Sequence, residues 1–201
     1  MIKNIIFDIG FVLVNFDFDK YIRTEFDEET CQAIEKAVWG APFWHDFDMG
    51  YLSTEEVVEK FIQAAPQKGY EKEIRWAFDN FGSCMSQADF VDEWMKELKG
   101  RGLRIFYLSN WSDFLRDSNP AARDFIKYCE GGIYSCDEHM TKPSPEIYEL
   151  LLRRYSLKAE ECLFIDDLQA NTEAAKKCGI NAIVFEGYEN TKKKLDEELL
   201  G

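Results

Sequence analysis

The chain has 201 residues and 46% of them are hydrophobic, which is enough for one folded core that carries a substantial insertion. Its formal net charge of -14 at pH 7 disfavours nucleic acid and anionic membrane surfaces as partners, because both would repel it. The six cysteines show no paired metal-binding spacing and no segment reaches membrane-spanning length, so we expect a cytoplasmic protein with reduced thiols.

The first predicted strand ends in a carboxylate. Residues 5–7 form a short apolar run, Asp8 follows directly, and Gly10 stands two positions later. A short apolar run with a polar end predicts a buried strand. Asp8 is therefore expected at the C-terminal edge of a sheet, where open parallel sheets form their ligand crevice.

A long helical stretch is predicted to follow, over residues 15–95. Segments 28–38, 54–65 and 71–81 place apolar residues three or four apart, as amphipathic helices do. Ser53 and Glu56 form a capping box in sequence, and Ser86 is expected to begin another helix. We expect residues 15–95 to form an all-helical cap domain, and residues 1–14 with 96–201 to form the core domain.

One aromatic stretch of this insert, residues 39–50, contains helix-breaking glycines and a proline, which predicts a bend. Trp44, His45 and Asp46 are candidates for binding the organic part of a substrate, because they combine aromatic surface with polar groups. The alternative is that the aromatic residues form the cap's own core, since large aromatic side chains dominate burial.

From residue 96 onward, strands and helices alternate, which predicts right-handed crossover units and a parallel sheet. Apolar runs at residues 103–108, 132–134, 162–165 and 181–185 are the predicted strands, and residues 188–200 a terminal helix. The expected fold class is α/β, a Rossmann-like parallel sheet flanked by helices with the inserted cap. Polar residues follow three of the runs: Ser109 and Asn110, then Lys142, then Asp166 and Asp167.

These strand ends are expected to meet at one edge of the sheet. They would combine three carboxylates, a hydroxyl and a lysine without a Cys or His cluster. Mg2+ binds one or two carboxylates, with waters and phosphate oxygens completing its shell. The pattern therefore predicts a Mg2+ site and phosphate chemistry.

The order Asp8, Ser109, Lys142 and Asp166-Asp167 resembles the four motifs of the haloacid dehalogenase-like hydrolase superfamily. The segments that carry the resemblance are IIFDIGFVLV, FYLSN, TKPSPEIY and LFIDDLQANTEAAKKCGI. They are spread from residue 5 to residue 180, so the resemblance spans nearly the whole chain. The resemblance implies a phosphatase that hydrolyses small phosphomonoesters through an aspartyl phosphate. A carboxylate nucleophile splits such a hydrolysis into two steps.

The resemblance also implies a role for each motif residue. Asp8 is the expected nucleophile, Ser109 with Asn110 binds the transferred group, and Lys142 neutralises charge and favours the ionised form of Asp8. Mg2+ is expected to bind Asp8, the backbone carbonyl of Gly10, Asp166 and Asp167. Two further residues are candidates for the substrate pocket: Trp111 as part of its lining, and Asn171 either as a group that orients a metal-bound water or as a helix cap.

Gly10 departs from the family pattern, because most phosphatases of the family carry a second Asp there as general acid and base. Such catalysis typically contributes roughly 100 to 10,000-fold, so its loss predicts substrates with good leaving groups, such as sugar 1-phosphates or acyl phosphates. The opening FDIGFVLVNFDF is similar to a branch that also carries Gly and includes phosphatases acting on alpha-glucose 1-phosphate. Asp17 is a candidate substitute acid, or else a helix cap.

Three other functions stay open. In a metal-free 2-haloacid dehalogenase Asp8 would attack carbon, but the pair Asp166-Asp167 would repel an organic acid. A phosphomutase would need an acid and base at Gly10. A non-catalytic protein that binds a phosphorylated ligand would not need one. The expected partner is a small phosphorylated molecule, and the chain is expected to be a monomer or a homodimer.

Overall fold

The protein is described here by a computed structural model that covers residues 1–65 and 69–200. Five of its strands form one parallel sheet in the order β5-β4-β1-β6-β7, so the first strand lies at the centre. The strands of the described ranges are β1 (Asn4–Phe7), β2 (Val14–Phe16), β3 (Met85–Gln87), β4 (Arg104–Ser109), β5 (Gly131–Tyr134), β6 (Cys162–Asp166) and β7 (Asn181–Val184).

Helices flank this sheet and also fill the insert between β2 and β3. They are α1 (Phe18–Ile22), α2 (Glu28–Trp39), α3 (Trp44–Asp48), α4 (Thr54–Ala64), α5 (Glu71–Asp79), α6 (Val91–Gly100), α7 (Asp113–Ser118), α8 (Ser135–Glu138), α9 (Pro145–Arg154), α10 (Gln169–Lys177) and α11 (Tyr188–Leu200). None of the helices in the described ranges is both long enough and apolar enough to cross a bilayer.

The predicted amphipathic segments correspond to α2, α4 and α5, and the capping box is confirmed. Ser53 N donates to Glu56 Oε2 at 2.9 Å, while Ser53 Oγ accepts from Glu56 N at 3.3 Å. These helices could be predicted because their signals lie within one or two turns of chain.

The prediction for Ser86 is wrong, because Ser86 lies in β3. Strands β2 and β3 pair antiparallel, with Val14 opposite Gln87, so the two ends of the insert meet in a short ribbon. The insert is therefore helical above a two-stranded base. The cross-strand pairing overrides the local helix signal, because strand formation depends on the partner strand more than on intrinsic preference.

Alternate residues of β1 point to opposite faces of the sheet. Ile6 packs with Phe106 and Phe164 on one face, whereas Ile5 and Phe7 face the other. The second face belongs to an apolar cluster that continues into the insert. The predicted domain boundary at residue 95 falls inside α6, whose Trp94 contacts Phe7 edge-on with 4.9 Å between ring centroids. We therefore propose that α6 belongs to the core domain.

Candidate functional site

Asp8 stands at the end of the central strand, and one of its two carboxylate oxygens is held from three directions. Asp8 Oδ1 accepts from Ile9 N at 2.7 Å and from Ser109 Oγ at 2.6 Å, and it lies 2.9 Å from Lys142 Nζ. Within the described ranges, Oδ2 has no hydrogen-bond partner. The residue is 7% exposed and lines a pocket, so Oδ2 is the oxygen available to a ligand.

Lys142 is a buried cation between two carboxylates. Its Nζ lies 2.6 Å from Asp166 Oδ2 as well as close to Asp8. Burial acts to lower the pKa of Lys142, but the charges of Asp8 and Asp166 raise it more, so the pKa lies above its ordinary value. Asn110 fixes the backbone of this lysine, because its Oδ1 accepts from Lys142 N at 2.7 Å and its Nδ2 donates to Lys142 O at 2.9 Å.

The pKa of Asp8 is raised, and burial is the main cause. Lys142 and the hydrogen bond from Ser109 act against this rise, while the charge of Asp166 adds to it. Lys142 thus lowers the pKa of Asp8, which is the predicted direction, but burial raises this pKa by more. A cation bound beside Asp8 would favour the ionised carboxylate.

Asp8, Asp166 and Asp167 each offer an oxygen within 4.8 Å of the others. Asp166 is fully buried, and Asn171 Nδ2 donates to its two oxygens at 3.0 and 3.1 Å. Burial, together with Asp8 and Asp166, raises the pKa of Asp167 to about 6. Three carboxylates around a single lysine leave excess negative charge, and an all-oxygen donor set fits Mg2+.

A pocket of about 310 Å³ opens above these groups. Its polar floor is formed by residues at or after the strand ends and by Asn171 of α10, and its walls are largely aromatic. The floor contains Asp8, Gly10, Ser109, Asn110, Lys142, Asp167 and Asn171. The wall contains Phe11, Phe16, Trp39, Trp44, Phe81, Trp111, Leu115 and Leu168.

Of the three cap residues predicted to bind the substrate, one lines the pocket and two do not. Trp44 lines the pocket, whereas His45 and Asp46 are exposed and lie outside the lining. His45 Nδ1 instead pairs with Thr141 Oγ1 at 3.3 Å. The cause is helical geometry, since side chains three or four positions apart share a face and adjacent ones do not. Trp44 and Asp48 therefore point into the pocket together, and the next two residues after Trp44 point away from it.

Asn171 and Trp111 also line the pocket. Asn171 has a contact that neither a water-orienting role nor a helix-capping role predicts. Its side-chain amide donates to Asp166, and its backbone carbonyl accepts from Tyr148 Oη at 2.9 Å. Asp17 lies elsewhere, in a separate cleft with Lys20.

Asp48 lies in the aromatic stretch of residues 39–50, but the sequence analysis does not predict it as a site residue. It lines the same pocket as Asp8 and Lys142. Burial raises the pKa of Asp48 to about 7, with Lys142 lowering it and Asp8 raising it further. Its spacing of four residues from Trp44 is the signal that could have identified it.

Comparisons with known proteins give the family of the chain. The family model of haloacid dehalogenase-like hydrolases matches residues 2–179. D-ribitol-5-phosphate phosphatase of Bacteroides thetaiotaomicron is 23% identical, with 97% of each chain covered. Sesquiterpene phosphatase astK of Aspergillus oryzae is 27% identical over 89% of this chain and 87% of its own.

Two further similar proteins differ in how much of their own length this chain covers. Acyl-CoA dehydrogenase family member 10 of Mus musculus is 28% identical over 79% of this chain, which spans only 15% of that relative. The solved structure of a Bacteroides thetaiotaomicron enzyme of the same family, in complex with magnesium and inorganic phosphate, superposes with a TM-score of 0.72 at 21% identity, covering 95% of this chain and 99% of that one. With the strand-end motifs gathered in one pocket and the family model matching most of its length, the chain belongs to the haloacid dehalogenase-like hydrolases.

Proposed function

We propose that this protein is a Mg2+-dependent phosphatase of small phosphomonoesters, acting through an aspartyl phosphate on Asp8. One observation carries the proposal: Asp8 presents a free Oδ2 to a pocket while its Oδ1 is held by Ser109 and Lys142. A fixed carboxylate beside a cation is poised to attack phosphorus. The two phosphatase relatives that align over most of their length support this activity.

The residues of the site divide the work of phosphoryl transfer. Asp8 attacks and carries the phosphoryl group, and Lys142 balances negative charge. The Ser109 hydroxyl, which donates to Asp8 Oδ1 in the structure, would turn to donate to a phosphoryl oxygen when substrate is bound. Such positioning and charge stabilisation are what this reaction chiefly requires. Mg2+, held by Asp8, Asp167 and the carbonyl of Gly10, would neutralise charge on the transferred group when bound. Asp166 has its oxygens engaged by Lys142 and Asn171, so we assign it to holding those two side chains.

A sugar or polyol phosphate is the first substrate class that we propose. The relative named D-ribitol-5-phosphate phosphatase supports it, as do aromatic walls able to cover the apolar face of a sugar. Sugar 1-phosphates belong to this class, as predicted from the sequence.

An ester with an apolar leaving group is a second candidate, and a specific observation favours it. Three of the five exposed large apolar side chains in the described ranges line this pocket: Phe11 at 59%, Trp39 at 47% and Leu168 at 56% exposure. Phe11 also has a φ of 56°, a left-handed conformation that is unfavourable for a bulky residue and that functional sites tolerate. The sesquiterpene phosphatase relative supports this class.

The experiment is a phosphate-release assay on sugar, polyol, prenyl and acyl phosphates, with and without Mg2+, for the wild type and Asp8→Asn. We expect Mg2+-dependent release that Asp8→Asn abolishes. Haloacids in the same plate test the dehalogenase alternative, which predicts halide release without metal. Ligand-induced thermal stabilisation without any turnover would instead favour the non-catalytic binding protein.

We further propose a cytoplasmic location and a monomer or homodimer, as expected from the sequence. The net charge of -14 and the six cysteines, all free thiols in the structure, support the location.

A further inference from the structure

We propose that Asp48 is the general acid and base of this site and takes the role that Gly10 cannot perform. The assignment depends on the proposed phosphatase function and adds the proton transfers to it. In the first step Asp8 Oδ2 forms a bond to phosphorus and the bond to the leaving oxygen breaks. The electron pair of that bond goes to the leaving oxygen, which takes the proton of Asp48 and departs as an alcohol.

The second step returns both carboxylates to their starting states. Water attacks phosphorus while the Asp48 carboxylate takes a proton from it. The bond between phosphorus and Asp8 breaks, its electron pair returns to Asp8, and inorganic phosphate leaves. One residue thus gives a proton to the alcohol and regains one from water.

Asp48 is the carboxyl that the pocket lining leaves free for this task. Asp8 and Asp167, the other two carboxyls in the lining, both belong to the acidic cluster that fits Mg2+. Among the described residues, the Asp48 carboxyl makes no hydrogen bond and no ion pair. It comes from the cap side of the pocket, whereas Asp8 comes from the sheet, so a substrate phosphate would lie between them.

The backbone of Asp48 is fastened to the core beside the phosphate-binding residues. Ser135 is fully buried, and its Oγ donates to Asp48 O at 2.5 Å while accepting from Trp111 N at 2.8 Å. Trp111 follows Ser109 by two positions, so one hydroxyl links the end of α3 to the loop of the phosphate site.

The residues after Asp48 are docked onto the same part of the core. Met49 O pairs with His139 Nδ1 at 2.7 Å. Gly50 has a φ of 70°, and a Cβ there would lie 2.7 Å from Cys136 O, so the chain packs too closely for a side chain. These contacts preorganise Asp48, as proton transfer requires.

The charges facing Asp48 suit a proton donor near neutral pH. The titratable groups that line the pocket with it are Asp8, Lys142 and Asp167. Burial and the neighbouring Asp8 favour the protonated form of Asp48, and Lys142 opposes them. A carboxyl that titrates near the working pH can both donate and accept.

Leaving-group acidity provides the test. We would compare kcat/KM for 4-nitrophenyl phosphate and 2-phenylethyl phosphate, which are similar in shape but differ in leaving-group acidity. For Asp48→Asn we expect a loss of about 100-fold or more on the phenylethyl ester and less than about 10-fold on the nitrophenyl ester. Asp79→Asn, at the exposed end of α5 outside this pocket, removes the same charge and should change neither.

A pre-steady-state assay examines the second step. If Asp48 also activates water, Asp48→Asn should release a burst of nitrophenolate and then accumulate the phosphorylated enzyme. The burst and the split between the two esters are readouts that a merely structural role would not produce.

A second variant restores the missing group at the family's usual position. A Cβ at Gly10 would meet only ordinary contacts, 3.6 Å from Phe16 and 3.8 Å from Trp111. Gly10→Asp in the Asp48→Asn background should recover turnover of the phenylethyl ester, and Gly10→Ala in that background should not.

Equal losses on both esters in a folded Asp48→Asn protein would overturn the role of Asp48 while leaving the phosphatase function intact. If the wild type releases phosphate neither from these esters nor from the sugar, polyol, prenyl and acyl phosphates, both the function and this assignment fall.

Discussion

The two oxygens of the Asp8 carboxylate have different surroundings, and this asymmetry orients the residue. Ile9 N, Ser109 Oγ and Lys142 Nζ all approach Oδ1, so rotation of the side chain would break three contacts together. Charge-assisted hydrogen bonds of this kind are among the strongest in proteins. A nucleophile held in this way loses little entropy when it attacks.

Asp48 should make the protein less stable as the pH rises. Its pKa is raised from 3.8 to about 7, so the folded state favours the protonated carboxyl. Its stabilising contribution is therefore complete below about pH 4 and is lost as the pH rises through about 7. The full effect is at most about 4 kcal/mol, and it is smaller here because the carboxyl reaches the solvent of the pocket.

Asp48→Asn removes the free-energy cost of ionising this carboxyl in the folded state. We therefore expect the variant to have a higher free energy of unfolding than the wild type at pH 8. The gain should shrink towards zero near pH 4, and urea denaturation at both pH values measures it. Asp79→Asn is the matched control, with little effect expected because that carboxylate is exposed. A gain that is the same at both pH values would contradict the raised pKa.

The strand-end residues could be predicted because each one directly follows a local apolar run. Asp8, Ser109 and Asp166-Asp167 needed only the rule that parallel strands end at one edge. Asp48 could not be predicted in this way. Its spacing from Trp44 places it on the same face of α3, but its backbone contact with Ser135, which lies 87 positions along the chain, is not encoded by any pattern within α3.

At the scale of elements, the hydroxyl of Ser135 joins cap to core. Ser135→Ala would leave Trp111 N and Asp48 O without this partner in a buried setting. We expect a loss of about 1–3 kcal/mol in the free energy of unfolding, since buried groups without partners are destabilising. Activity on esters with poor leaving groups should fall more than activity on esters with good ones, because Asp48 loses its anchor.

Ser118→Ala is the control for that prediction, because Ser118 Oγ makes a local hydrogen bond to Phe114 O at 2.7 Å and does not line the pocket. Thermal unfolding and the pair of esters described above are the measurements. Equal activity loss on the two esters would mean that Ser135 supports the fold without positioning Asp48.

The longer helices of the insert could be predicted, but its base could not. The apolar spacing of α2, α4 and α5 is visible within each segment. In contrast, β2 and β3 have three residues each, and Val14 finds its partner at Gln87. A strand of three residues is too short to show a clear alternation of apolar and polar side chains. The pairing is therefore visible only in the folded structure.

At the scale of the whole molecule, the net charge is strongly negative, although the expected substrate is also an anion. The chain carries a net charge of -14, yet among the described residues the pocket lining contains one cation, Lys142. An anionic substrate must therefore be attracted locally, by this lysine and by a bound dication. The wall of the pocket is largely aromatic, so affinity for the organic part of the substrate should come mainly from burial of apolar surface.

The exposed aromatic rim should then select the substrate. Covering a half-exposed Phe11 or Trp39 ring is worth about 1 kcal/mol or more, so we expect Phe11→Ala with Trp39→Ala to lower kcat/KM for geranyl phosphate by about 10-fold or more. D-ribitol 5-phosphate, which is polar, should lose less. Tyr51→Ala removes a ring with the same 59% exposure as Phe11 from outside the pocket. Because that ring stacks on His139, any loss it causes should be equal for the two substrates. Equal losses on both esters would mean that the rim shapes the pocket without selecting for apolar groups, and the sugar or polyol class would then be favoured.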